Sequence, residues 1–182
     1  MLPMIETQRL LLRRWRQDDI PVFTELSAEP AVIEFLPGAM TTAQVEAFIR
    51  SHNAMCDRHR TCYFAAEVKE TGELAGFIGL KYQDFDQPFA PCFELGWRLA
   101  SRYWGKGYAT EGARAAMQHG FDVLGLEEIV SFTVPENTRS RNVMERLGMN
   151  RDEAGDFAHP ALPADHRLSQ HVLYRIRKNE AA

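Results

Sequence analysis

Apolar and polar positions alternate without interruption from Phe93 to Leu99. Phe93, Leu95, Trp97 and Leu99 fall on one face, and Glu94, Gly96 and Arg98 on the other, which is the period of a half-buried strand. The period then changes. Ala109, Ala113, Ala116, Met117, Gly120, Phe121 and Leu124 recur at three- and four-residue spacing before Gly125, which predicts an amphipathic helix with small residues turned inward and a glycine stop. Ile129 to Val134 is apolar and β-branched, as a buried strand should be, and Pro135 ends it because proline donates no ladder hydrogen bond. A short helix follows, capped by Asn137 or Thr138 and stopped by Gly148.

Upstream, Arg9 to Trp15 reads as a strand, Gln17 to Ala28 as a helix, and Thr41 to His59 as a second helix with a threonine cap. The turn Pro37-Gly38 separates the two helices. Tyr63 to Val68 and Leu74 to Leu80 form a predicted hairpin around Glu70-Thr71-Gly72-Glu73, and Asp84 to Pro91 reads as a loop. The pattern shows no internal repeat, low-complexity tract or long linker. It predicts one domain over residues 1–182, an α/β (α+β) sheet layered with helices.

The junction between the alternating strand and its helix is the segment Arg102-Tyr-Trp-Gly-Lys-Gly-Tyr-Ala109. A helix that opens directly after Gly105-Lys106-Gly107 offers unpaired N–H groups and the positive end of its dipole to an anion, and glycines allow the close approach. The dinucleotide fingerprint fails because Thr110 stands where a third glycine belongs, and the P-loop fails because Gly107 follows Lys106. The spacing of Arg102, Gly105 and Gly107 resembles instead the pyrophosphate loop of the GNAT superfamily of acyl-CoA-dependent N-acetyltransferases. The run Asn137-x-x-Ser140-x-x-Val143-Met144-x-x-Leu147-Gly148-Met149 is similar to that superfamily's second motif. The end segments Ile5 to Arg13 and His171 to Ile176 resemble the first and last strands of its branch containing ribosomal-protein-alanine acetyltransferases.

The resemblance implies a mixed, mostly antiparallel central sheet of about seven strands, splayed between the fourth and fifth and flanked by about four helices. It implies acetyl-CoA as co-substrate and transfer to a primary amine, with a protein N-terminal α-amine as acceptor or, alternatively, a small amine such as an antibiotic or polyamine. The backbone of Trp97, Arg98 and Leu99 would then hold the pantetheine amide and polarise the acetyl carbonyl. Gly105, Lys106, Gly107, Tyr108, Ala109 and Thr110 would hold the pyrophosphate, with charge from Arg102 and Lys106. Asn137 and Asn142 complete the expected cofactor-binding set. The acceptor region in this fold corresponds to Glu34 to Met40 and Asp84 to Pro91, where Glu34, Asp84 and Asp86 would suit a cationic amine.

Amide formation needs a base for the attacking ammonium, donors for the oxyanion and an acid for the leaving thiolate. Glu94 is the candidate base; an ion pair with Arg98 or Lys81 is the competing role for that side chain. The second-motif position that often carries tyrosine is Met144, which donates no proton, so Ser140 and water are the candidate acids. A helix-start role is the alternative for Ser140. His119 lies off its helix's apolar stripe and is expected in solvent, whereas His159, His166, His171 and Asp165 lie near the final strands as further base candidates or bystanders. Phe35, Tyr63, Tyr82, Phe85 and Trp104 are pocket or core aromatics.

Composition narrows the setting. The 182 residues carry a formal charge of −4, which speaks against a broad nucleic-acid surface. The local cluster Arg139, Arg141, Arg146 and Arg151 reads as a solvated helix face or a phosphate contact. Cys56, Cys62 and Cys92 are odd in number and form no Cys-x-x-Cys pair, so neither a disulfide framework nor a metal site is expected. No leader-like segment or ~20-residue apolar run is present. The expectation is a cytoplasmic monomer or homodimer without nucleic-acid or membrane partners. A silent acyl-CoA binder and a nucleotide binder of another fold are the competing classes.

Overall fold

The computed structural model describes residues 4–181. In chain order the elements are β1 (Ile5–Glu6), β2 (Leu10–Arg13), α1 (Asp19–Leu26), α2 (Pro30–Ile33), α3 (Thr42–His59), β3 (Tyr63–Val68), β4 (Leu74–Gln83) and β5 (Cys92–Leu99). They continue with α4 (Tyr108–Asp122), β6 (Glu128–Thr133), α5 (Thr138–Arg146), β7 (Asn150–Ala158) and β8 (Gln170–Arg177). The strands form one sheet in the order β1-β2-β3-β4-β5-β6-β8-β7. Its eight strands and five helices exceed the expected counts for local reasons. The first segment folds back at Thr7, whose backbone N–H donates to Leu10 O at 2.9 Å, so one expected strand becomes two. Pro30 starts the extra one-turn helix α2, a position where its missing N–H costs nothing.

All neighbours pair antiparallel except β5 and β6, which run parallel and join at one register pair, Glu94 opposite Val130. The splay therefore falls between β5 and β6, one place later than expected, because β1 adds an edge strand to the count.

Helices cover both faces. Phe77 of β4 packs against Phe23 of α1 and Phe48 of α3, while its neighbour Ile78 lies under Gly112 of α4. Successive strand residues point to opposite faces, so α1 and α3 share one side and α4 takes the other. The β4–β5 register sets Phe77 opposite Arg98 and Ile78 opposite Trp97. Arg98, Gly96 and Glu94 consequently face α1 and α3, and Trp97, Leu95 and Phe93 face α4.

The two long helices each bury a stripe. Thr41 caps α3 in a reciprocal pair with Gln44, and Val45, Ile49, His52 and Cys56 are its buried positions. Ala113, Ala116, Met117 and Phe121 bury the inner face of α4. Arg13, only 6% exposed, pairs with Asp19 of α1 at 2.8 Å and with Glu67 of β3 at 2.6 Å. Such a desolvated cluster holds only while every charge keeps its partner, and it fixes α1 against the sheet.

Candidate active site

Gly105 and Gly107 have φ of +73° and +80°, the left-handed region that side chains resist. A Cβ on Gly105 would meet no protein atom within 4 Å, and one on Gly107 would meet only Arg9 Nη2 at 3.3 Å. The glycines are therefore required by the turn itself, and the space beside them stays open. Gly107 caps α4 without a side-chain hydrogen bond, so the first-turn N–H groups of Tyr108, Ala109 and Thr110 have no intrahelical acceptor. Two residues that the sequence pattern does not single out hold this turn. Arg9 donates to Lys106 O at 2.8 Å and pairs with Glu111 at 2.6 Å.

The turn opens into a cleft of about 800 Å³ that passes between β5 and β6. Ser131 of β6 donates to Leu95 O at 2.8 Å, and Trp104 Nε1 donates to Leu99 O at 2.8 Å, so the backbone of these residues points away from β4. Alternation places Trp97 in the same direction. The N–H groups of Trp97 and Leu99 thus face the opened edge, while Arg98 turns its backbone to Phe77 and its side chain into the cleft.

Most of the expected cofactor-binding residues meet here: Trp97, Arg98, Leu99, Gly105, Gly107, Tyr108, Ala109, Thr110, Asn137 and Asn142 all line the cleft. Arg102 and Lys106 do not. Their side chains are exposed and lie against the Tyr103 ring at 4.9 and 5.7 Å. Two members of the basic cluster, Arg139 and Arg146, line the cleft instead. Asn137 is the cap of α5, accepting from Ser140 N at 3.2 Å and donating to Thr133 Oγ1 at 3.1 Å. Ser140 and Met144 both reach the cleft, one turn apart.

On the α1–α3 side the cleft ends in a compact polar group. Glu94 accepts from Gln83 Nε2 at 2.5 Å and has the Tyr63 hydroxyl beside it. Burial raises its carboxyl above the ordinary carboxylate range, against the opposing pull of Gln83 and Lys81. Tyr63 occupies the space over Gly96: a Cβ there would lie 2.6 Å from the Tyr63 hydroxyl. His52, 4% exposed, stacks on Tyr63 at 5.2 Å. Its Nδ1 lies 2.9 Å from Phe48 O, which assigns the proton to Nδ1 and leaves Nε2 as a buried acceptor without a partner. Burial holds the imidazole down to about 4, so it is neutral near pH 7. Its signal in the sequence is a histidine on the buried stripe of α3.

Other candidates separate. Glu94 makes no ion pair with Arg98 or Lys81 among the described residues. His159 and His171 line the cleft 5.0 Å apart, both depressed chiefly by burial; His166 and Asp165 lie outside it. His119 also lies outside the cleft. It is not solvated as its helix position suggests: it is half-buried with Nε2 sequestered. Phe35, Tyr63 and Trp104 line the cleft, whereas Tyr82 stacks on His59 and Phe85 joins an aromatic cluster with Phe89, Phe132 and Phe157. The acidic acceptor side expected from Glu34, Asp84 and Asp86 is not formed. Glu34 is taken by Arg139 at 2.8 Å, and Asp84 and Asp86 are exposed on the loop after β4, which points them to water.

Known proteins are similar to this chain in sequence and in fold. The acetyltransferase (GNAT) domain family matches residues 9–150. The chain is 28% identical to YnaD, an uncharacterized N-acetyltransferase of Bacillus subtilis, over 97% of this chain and 98% of that protein. A GNAT-family acetyltransferase structure from Bacillus anthracis superimposes with a TM-score of 0.80 at 28% identity, covering 97% of this chain and 99% of the other. Mycobacterium smegmatis RimJ in complex with CoA-disulfide shares the fold, with a TM-score of 0.79 at 20% identity over 98% of this chain and 89% of its own. With the glycine turn, the single-pair β5–β6 junction and the cleft between them in place, the chain belongs to the GNAT family of acetyltransferases.

Proposed function

We propose that the protein acetylates a primary amine by direct attack on acetyl-CoA within a ternary complex, with Glu94 as general base. The observation that supports this reading most directly is the position of Glu94: its carboxylate lines the cleft on the opposite face of β5 from α4, beside the open β5–β6 edge. The amide N–H groups of Trp97 and Leu99 on that edge suit the pantetheine arm and the acetyl oxygen, and the N-terminus of α4 suits the pyrophosphate. The amine nitrogen forms a bond to the thioester carbon as the C–S bond breaks. The ammonium proton passes to Glu94, whose raised proton affinity suits a base near neutral pH. The thiolate takes a proton from Ser140 or from water, and a thiol with a pKa of ~8.5 leaves without an obligatory acid.

The acceptor that the family branch favours is a protein N-terminal α-amine entering the cleft end-on. A small amine is supported by one observation, the enclosure of the acceptor end by His52, Tyr63 and Phe77. The experiment is acetyl-CoA-dependent thiol release against peptides beginning with alanine or serine, polyamines and aminoglycosides, with Gly107→Trp as the blank. Release with peptides supports the N-terminal acceptor, and release with a small amine moves the enzyme to metabolite or drug modification. Thiol release that persists in Gly107→Trp refutes the placement of the pyrophosphate.

A further inference from the structure

The acceptor end of the cleft carries the opposite charge from the one a cationic amine alone would select. Among the described residues lining the cleft, Glu94 is the only carboxylate, while Lys81 and Arg98 both enter it from the same side of the β4–β5 ladder. Neither cation has an ion-pair partner among the described residues. The Arg98 guanidinium meets Met40 Sδ at 3.3 Å and the Phe77 ring at 5.4 Å, a weak acceptor and an aromatic face. A guanidinium carries five N–H donors and normally meets a carboxylate or phosphate when it leaves water. His52 supplies a second, independent sign of a missing ligand on the same wall: its buried Nε2 is an acceptor without a partner and suits the N–H of an arriving amine.

We propose that the acceptor is an amine that also carries a carboxylate, which Arg98 receives while the amine lies near Glu94. This inference rests on the acetyltransferase reading of the cleft and names the acceptor class for that site. Glu94 and Arg98 stand four residues apart on the same face of one strand, which separates their Cα atoms by roughly 13 Å, a span that the amine and the carboxylate of one molecule can divide between the two side chains. Tyr63 fills the space over Gly96 and forms the floor there. Burial lowers the Arg98 guanidinium to about 10, so the cation itself gains from an arriving anion. Lys81, opposite Glu94 on the ladder, disfavours the ammonium form of an amine held there, against the pull of the Glu94 carboxylate. The carboxylate has two sources, the α-carboxylate of a free amino acid or the side chain of an acidic first residue of a peptide.

The test compares matched acceptors in the thiol-release assay: free amino acids against their carboxamides, and peptides beginning with aspartate or glutamate against those beginning with asparagine or glutamine. The expected result is a kcat/KM at least about tenfold higher for the acid of a pair, carried by KM, with Arg98→Gln collapsing that ratio. Preference among free amino acids identifies the α-carboxylate, and preference confined to peptides identifies the side chain. Equal turnover of acid and amide, or a ratio that survives Arg98→Gln, overturns the proposal and leaves the acetyltransferase reading standing. A binding arm needs no turnover: calorimetric titration of the CoA-saturated wild-type protein with the same acids and amides. Binding of acids in preference to amides supports the proposal even if no amine is acetylated. Absence of that preference overturns it.

Discussion

Replacing His52 by phenylalanine should remove one specific part of the protein's acid sensitivity. The side chain is 4% exposed and lies between the rings of Phe48 and Tyr63, a slot that phenylalanine fills with the same stacking. Its imidazole is depressed from 6.5 to about 4, first by burial and then by the charges of Lys81 and Arg98, against the opposing Phe48 carbonyl. At about 1.4 kcal/mol per pH unit, that depression is worth about 3 kcal/mol. The unfolded chain takes up a proton as pH falls through 6.5 and the folded chain does so only near 4. The contribution is therefore complete above about pH 6.5 and declines progressively toward pH 4. His119, His159 and His171 are depressed in the same direction, but they are present in both proteins and cancel in the difference. Urea unfolding of wild type and His52→Phe at intervals from pH 4 to 7.5 should give stability curves that diverge by about 3 kcal/mol, the wild type losing more on acidification. Parallel curves would refute the assignment of His52 as a buried neutral histidine.

Three further outcomes follow from particular contacts. Glu94→Gln should lower kcat by about a hundredfold or more and abolish an acid limb lying above the ordinary carboxylate range, with acetyl-CoA affinity retained; a pH–rate profile with its limb intact in the variant removes Glu94 as the base. Asp19→Ala strips a partner from the buried Arg13 and should cost about 3 kcal/mol, read by denaturant unfolding, whereas Asp57→Ala at the exposed Arg14 pair should cost well under about 1 kcal/mol. Gly107→Ala forces a side chain onto φ +80° and should weaken acetyl-CoA binding about tenfold by calorimetry, a strain of about 1–2 kcal/mol at the turn. Gly125→Ala carries similar strain at φ +71° outside the cleft and should leave that affinity unaltered.

The legible parts of this chain are those whose cause is local. Gly105 and Gly107 mark an anion-accepting turn by their spacing before a helix, although their left-handed φ appears only in the fold, and the shift from alternation to helical spacing marks β5 and α4 on either side. The cap at Asn137 is equally local. The acceptor wall could not be read in the same way, because His52, Tyr63, Lys81 and Arg98 come from α3, β3, β4 and β5 and meet only through ladder register. Glu34 shows the limit most clearly. In the sequence it is an acid in an acceptor loop, yet in the fold its charge is taken by Arg139 at 2.8 Å, so an acidic pocket becomes a basic one. Arg9 and Glu111 escaped notice for the same reason, since the pair that holds the glycine turn joins residues 102 positions apart in the chain.

The alternation of β5 then does two things at once. Odd positions turn their backbone toward the gap with β6 and their side chains toward α4, so Trp97 and Leu99 can present amides to an extended thioester whatever their side chains are. Even positions turn the backbone to β4 and the side chain toward α1 and α3, so Glu94, Gly96 and Arg98 determine what meets that thioester from the other face. A one-residue slip of β5 would exchange both sets together, and the Phe77–Arg98 and Lys81–Glu94 pairs of the β4 ladder hold the register against it. Substitutions at even positions are thus the ones that should alter the acceptor while sparing acetyl-CoA. At odd positions the side chain belongs to the core under α4, and a change such as Leu95→Ala should appear first as lost stability, about 2–5 kcal/mol for a fully buried leucine.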